Sequence, residues 1–133
     1  MANHDVRSDR KYTKDHEWAR EENGNIRIGI TAYAVDQLGD ITLVNLDVKK
    51  GERITAGKAF GTIESVKTLS DLFAPVSGVV KHVNENLEKN PEKVNEDCYE
   101  QGWMIEIEPS DPSELGGLLD SAAYTSLLNT AGH

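Results

Sequence analysis

Gly61-Thr62-Ile63-Glu64-Ser65-Val66-Lys67-Thr68-Leu69-Ser70-Asp71 is the stretch that decides how this 133-residue chain folds and where its chemistry sits. The apolar residues Ala59, Phe60 and Ile63 lead into the lysine, and Leu69, Leu72 and Phe73 lead away from it. Each side reads as a short strand, so Lys67 falls at the turn of a β-hairpin. Hairpin tips are solvated and make few packing contacts, and a lysine there holds its amine in water on a four-carbon stem. That placement suits either an ordinary surface charge or an amine that another enzyme must reach and acylate.

The same punctuation continues on both sides. Asp15-His16-Glu17-Trp18-Ala19-Arg20 reads as a strand, Asn23-Gly24 as a turn, and Ile26, Ile28 and Ile30 as the buried face of the next strand. Thr31 is placed to cap a short helix over 31–38, which Gly39 stops. Strands follow at Ile41 to Leu46, Val79 to Val83 and Trp103 to Glu108, the last closed by Pro109. Turns lie at 49–52 and 55–58, a bend at 74–78, and a helical piece broken by Asn90-Pro91 within 86–95. The segment from about 112 to 130 is helical and amphipathic. A weak repeat sets Gly39-Asp40-Ile41-Thr42-Leu43-Val44-Asn45 beside Gly78-Val79-Val80-Lys81-His82-Val83-Asn84. Two such halves can pack as facing antiparallel sheets, with the Lys67 hairpin at one end. The expected fold is mainly β, a flattened barrel or sandwich with short flanking helices and a C-terminal helix. Residues 1–10 are expected to be a flexible tail and 11–133 one domain.

Composition removes several function classes. With 23 acidic against 14 basic residues the net charge is −9, and no Lys/Arg cluster marks a nucleic-acid face. Acidity of this size serves solubility, or steers the chain toward partners with basic faces. No apolar run approaches the roughly 20 residues of a membrane span. The opening residues are polar and of mixed charge, unlike a signal or transit peptide, so a cytoplasmic location is expected. Cys98 has no partner for a disulfide, and Glu96, Asp97 and Glu100 beside it disfavour a thiolate. His4, His16, His82 and His133 are scattered without metal-ligand spacing. Phosphate loops, nucleophile elbows and CxxC pairs are absent from the sequence. No catalytic set and no metal site are therefore expected, and Lys67 remains as a carrier site, with Glu64 before it and Asp71 after it as acids a modifying enzyme can read.

An ordered set of motifs sharpens this: Tyr12-Thr13…His16-Glu17-Trp18, Gly29-Ile30-Thr31…Ala34, Leu38-Gly39-Asp40, Glu64-Ser65-Val66-Lys67…Ser70-Asp71, Pro75-Val76-Ser77-Gly78, Asn84, Asn95-Glu96-Asp97, Gly102-Trp103 and Ser113-Glu114-Leu115. From about Tyr12 through the C-terminal helix the chain resembles the H proteins of the glycine cleavage system, stand-alone lipoyl carriers of the hybrid lipoyl/biotinyl-carrier fold. The resemblance implies lipoate in amide linkage to Lys67, with Glu64 read by the lipoate-attaching enzyme. It implies passage of the aminomethyl group of glycine from the pyridoxal-phosphate P protein to the tetrahydrofolate-dependent T protein, and reoxidation by the L protein, a dihydrolipoamide dehydrogenase. It also implies a cleft that shelters the loaded arm, with Glu17 and Asp71 as candidate lining, and a monomeric carrier in the bacterial cytoplasm rather than an enzyme. An acidic lining suits a cationic aminomethyl amine. The chain departs from the family pattern at Leu46-Asp47-Val48-Lys49-Lys50-Gly51, which lacks the usual proline, at Cys98-Tyr99 in place of Pro-Tyr, and at Gln37, where a histidine is frequent. Rival readings are a biotin carrier, whose lysine is usually flanked by Met where this chain has Val66 and Thr68, and a lipoyl domain of a 2-oxoacid dehydrogenase, usually smaller and tethered by Ala/Pro-rich linkers. A non-carrier scaffold or lipoyl-relay protein is the third.

Overall fold

Period-two alternation resolves into two antiparallel sheets in the computed structural model, which describes residues 5–131. The larger sheet runs β1 (Lys11–Tyr12), β2 (Glu17–Glu22), β3 (Asn25–Ile30), β9 (Ile105–Pro109), β8 (Gly78–Val83), β5 (Arg53–Ile54). The smaller runs β4 (Ile41–Leu46), β6 (Ala59–Ser65), β7 (Leu69–Phe73), with β6 in the centre. Ile26 pairs with Ile107 and Ile28 with Ile105, so β3 and β9 contribute facing aliphatics, all buried. Val44 and Ile63 pair across β4 and β6 and are equally buried. Side chains from both sheets share one hydrophobic core, which also holds Trp18, Phe60, Leu72, Val80 and Met104. The weak repeat has a structural counterpart: its strands pair within each half, β4 with β6 and β8 with β9, in different sheets.

The helices fill the ends. Thr31 caps α1 (Ala32–Leu38) by accepting the Ala34 N–H at 3.2 Å, as the sequence leads one to expect. Asn90-Pro91 separates α2 (Asn86–Lys89) from α3 (Glu92–Glu96). The expected single C-terminal helix is divided: Pro112–Gly117 forms a 3-10 turn, and α4 (Ser121–Ala131) starts afresh. The paired glycines 116 and 117 weaken helix at that point. Tyr124 of α4 is fully buried and stacks on Tyr12 with ring centroids 4.5 Å apart.

Other boundaries moved for local reasons. His16 has φ 69°, which extended chain does not adopt, so β2 starts at Glu17 rather than Asp15. The two-residue strands β1 and β5 are too short to carry a period and were unreadable. Pro109 closes β9 from inside, paired with Gly78. Of the tail expected at 1–10, residues 1–4 lie outside the described residues. Arg10, placed in that tail by its polarity, is buried: its guanidinium stacks 4.6 Å from the Trp18 ring and donates to the Tyr99 carbonyl at 2.9 Å.

Gly61 lets β4 and β6 approach. A Cβ there would lie 2.3 Å from the Asn45 carbonyl oxygen, a backbone atom with little room to yield. Gly61→Ala is expected to cost about 1–3 kcal/mol in urea unfolding, the range of overpacked core sites, whereas Gly116→Ala, which meets open space, should stay within about 0.5 kcal/mol.

Candidate functional site

The Lys67 hairpin is built as expected, and its turn is fastened by a residue whose role the sequence did not reveal. Between β6 and β7 the buried Ser65 Oγ accepts the N–H of Lys67 at 3.1 Å and of Thr68 at 3.2 Å. Ser65 N–H donates to the Thr68 carbonyl at 2.8 Å. A second anchor comes from outside: Val66 N–H donates to the Asp40 carbonyl at 3.0 Å. Asn95, at the end of α3, grips the chain on both sides of Asp40, donating from Nδ2 to the Gly39 carbonyl and accepting from Ile41 N–H, both at 2.9 Å. Lys67 itself is exposed, and its stem lies across Gly39, where a Cβ would sit 3.3 Å from Cε. Gly39 has φ 78° and ψ −150°, a region only glycine enters cheaply. It thus stops α1 and leaves room for the lysine.

Beside the hairpin lies a cleft of about 160 Å³, lined by His16, Glu17, Ile30, Ala34, Gln37, Leu38, Ile63, Ser70, Asp71 and Leu72, with Asp15 at its edge. Glu17 is 3 % exposed. Its carboxylate accepts the Thr13 hydroxyl at 2.6 Å and the Phe73 N–H at 3.3 Å. Burial pushes its pKa up to about 7, against the opposing pull of those two donors. A second cavity of about 320 Å³, between Phe73, Pro75 and Leu118, shares Asp15 and Glu17 with the first, so Glu17 stands where the two meet. His16 holds Nδ1 2.8 Å from the Tyr124 hydroxyl, which also bonds Thr31 Oγ1 at 2.7 Å. Burial lowers the His16 pKa, against the opposing pull of the Asp15 charge.

The four expected site residues therefore fall into two groups. Glu17 and Asp71 reach the cleft; Lys67 and Glu64 stand on the hairpin outside it. Register refines this. Ser70 pairs with Ile63 in the inward row, whereas Asp71 pairs with Thr62 in the outward one; both are exposed and both line the cleft. Gln37 also lines the cleft. Among the described residues no group of His, Cys, Asp and Glu could hold a metal. The buried Cys98 thiol is pushed up to about 12 and is no nucleophile.

The fold and the site define a small two-sheet β module that presents one lysine beside an apolar cleft with a buried acid. Residues 10–131 match the family model described as glycine cleavage H-protein. The glycine cleavage system H protein of Myxococcus xanthus is 48% identical over 126 residues, 95% of this chain and 97% of that one. That of Geobacillus thermodenitrificans is 51% identical over 119 residues, 90% and 93% of the two chains. A crystal structure of a glycine cleavage system H protein from Mycobacterium marinum superposes with a TM-score of 0.84 at 36% identity, covering 96% of this chain and all of that one. The chain belongs to the glycine cleavage H-protein family.

Two outcomes follow from the geometry. The folded Glu17 carboxyl holds its proton more tightly than the unfolded one, so its stabilising share is present below the unfolded range and is lost as pH rises through about 7. Relative to wild type, Glu17→Gln should gain on the order of 3 kcal/mol between pH 4 and pH 8 in parallel denaturation series; a flat difference would place the carboxyl in water. Asn95→Ala should speed amide exchange at Val66 and Ile41, read by NMR, more than at Ile107 in the distant core.

Proposed function

We propose that this protein is a lipoylated carrier, with lipoate in amide linkage to Lys67, and that it passes the aminomethyl group of glycine from the P protein to the T protein and is reoxidised by the L protein in the bacterial cytoplasm. The observation that supports this best is the juxtaposition at the hairpin: an exposed lysine on a turn locked by Ser65 and Asp40, next to a cleft with Ile30, Leu38, Ile63 and Leu72 in its walls. The lipoyl group fits these residues, because its aliphatic chain and dithiolane ring are apolar and its attachment needs only a free primary amine. When bound, it supplies a disulfide that can be opened, loaded and closed again.

The chain's own residues then have three tasks. The β6–β7 turn holds the attachment point outside the core, so loading costs the fold nothing. The cleft walls exclude water from an apolar arm. Glu17 and Asp71 supply the acidic side of the cleft; the Glu17 carboxyl, poised near neutrality by burial, favours its charged form once a cationic amine comes close. Tethering raises the local concentration of the carried group at each docked partner. The net charge of −9 suits docking on basic faces.

Incubation with a lipoate-protein ligase, ATP and lipoate should give one adduct, mapped to Lys67 by peptide mass spectrometry. Lys67→Arg should remove the adduct and all activity in reconstituted glycine cleavage, with unfolding unchanged within about 0.5 kcal/mol. An adduct elsewhere, a biotin adduct, or full activity in the variant would overturn the assignment. Glu17→Ala or Asp71→Ala should shorten the lifetime of the loaded form; unchanged lifetimes would remove that residue from the cleft's task.

A further inference from the structure

Three large apolar side chains stand out in solvent among the described residues, and they gather at one place: Val66 is 67% exposed, Leu69 64% and Leu43 46%. Single exposed apolar residues are ordinary, but a contiguous group marks a contact surface. The register makes the group contiguous. Leu43 pairs with Glu64 and Glu64 pairs with Leu69, so the three lie in one row across β4, β6 and β7. At the usual strand spacing the two leucines stand about 10 Å apart with the carboxylate between them. The next inward row, Val44 and Ile63, is fully buried, so the Leu43–Glu64–Leu69 row faces outward. Glu64 makes no side-chain hydrogen bond or ion pair among the described residues. Asp71 lies two residues further along the same face. Val66 completes the patch beside Lys67.

We propose that this row is the docking patch of the enzyme that acylates Lys67, whose complementary face is apolar with one cation set to meet Glu64. The proposal rests on the reading of Lys67 as the attachment point. Chemistry selects the occupant. In the transfer, the Nζ lone pair forms the amide bond to the carboxyl carbon of an acyl-adenylate, adenylate leaves with the bonding pair, and an Nζ proton is lost to solvent. The attaching enzyme must therefore bring its bound donor to within bonding distance of Nζ, one side-chain length from the backbone between Val66 and Leu69. Its surface cannot avoid those residues, and Leu43 and Glu64 extend the same footprint. An enzyme that works on the far end of an attached arm meets no such requirement. The uncompensated carboxylate between two leucines supplies the charge complement: it repels an acidic surface and gains from a basic one.

The test uses the whole chain with a lipoate-protein ligase, ATP and lipoate, varying the unmodified protein. Leu43→Ser and Leu69→Ser, singly and together, should raise KM for attachment, the double variant by about tenfold or more, the loss typical of anchoring side chains. kcat and thermal unfolding should stay near wild type, since both side chains are exposed. Double variant loaded to completion with excess ligase should be reduced by dihydrolipoamide dehydrogenase and NADH at the wild-type rate. Unchanged KM overturns the proposal. An equal loss in the dehydrogenase step overturns the commitment to the attaching enzyme. Self-association of wild type in sedimentation, abolished by the substitutions, gives the patch to a second copy instead. Failure of wild type itself to take lipoate at Lys67 would strike the carrier reading, a result distinguishable from all of these.

Discussion

The buried hydroxyl of Ser65 is the point on which the site depends. A tight turn leaves backbone N–H groups pointing inward with no strand partner, and each unsatisfied group costs on the order of 1–3 kcal/mol. Ser65 Oγ takes two of them, from Lys67 and Thr68. The carbonyl of Asp40 takes the N–H of Val66, and Asn95 holds that carbonyl's flanks. Every backbone donor from Ser65 to Thr68 is used, which fixes the turn's backbone while the Lys67 side chain stays exposed. A scaffold that presents a modifiable amine needs this division between a fixed backbone and a free side chain.

Glu17 shows the opposite economy. A carboxylate removed from water is unfavourable unless donors compensate, and here two do so only in part, as its raised pKa records. A core built for stability alone would place an apolar residue there. The fold instead keeps a partly satisfied acid where two cavities join, and offsets it with facing Ile pairs of β3 and β9 and the stack of Tyr124 on Tyr12. A cationic amine in the cleft, as the proposed chemistry requires, would offset that cost.

The stretch around Lys67 was legible because its signals are local. Alternating apolar residues on either side, a polar centre and glycine-bounded strands leave little choice but a hairpin, and that hairpin is present. Thr31 and Gly39 bracketed α1 for the same reason: capping is a matter of three or four residues. What failed was non-local. β1 and β5 exist only because neighbours pair with them. Arg10 reads as a tail residue until Trp18 on β2 and Tyr99 and Glu100 from far along the chain close around it. The helix expected from about 112 broke at Gly116-Gly117, where amphipathic spacing concealed two weak positions.

For the site, the sequence by itself determined which residues are the candidates: one lysine at a turn, an acid three residues before it, and motifs that point to the family. Those are properties of residue type and spacing. Only the tertiary structure decided where they face. It placed Glu17 at the junction of two cavities, put Glu64 in an outward row between Leu43 and Leu69, and set Ser70 and Asp71 on opposite faces of β7. A strand has two faces, and the choice between them rests on pairing register across β4, β6 and β7, which no single segment contains.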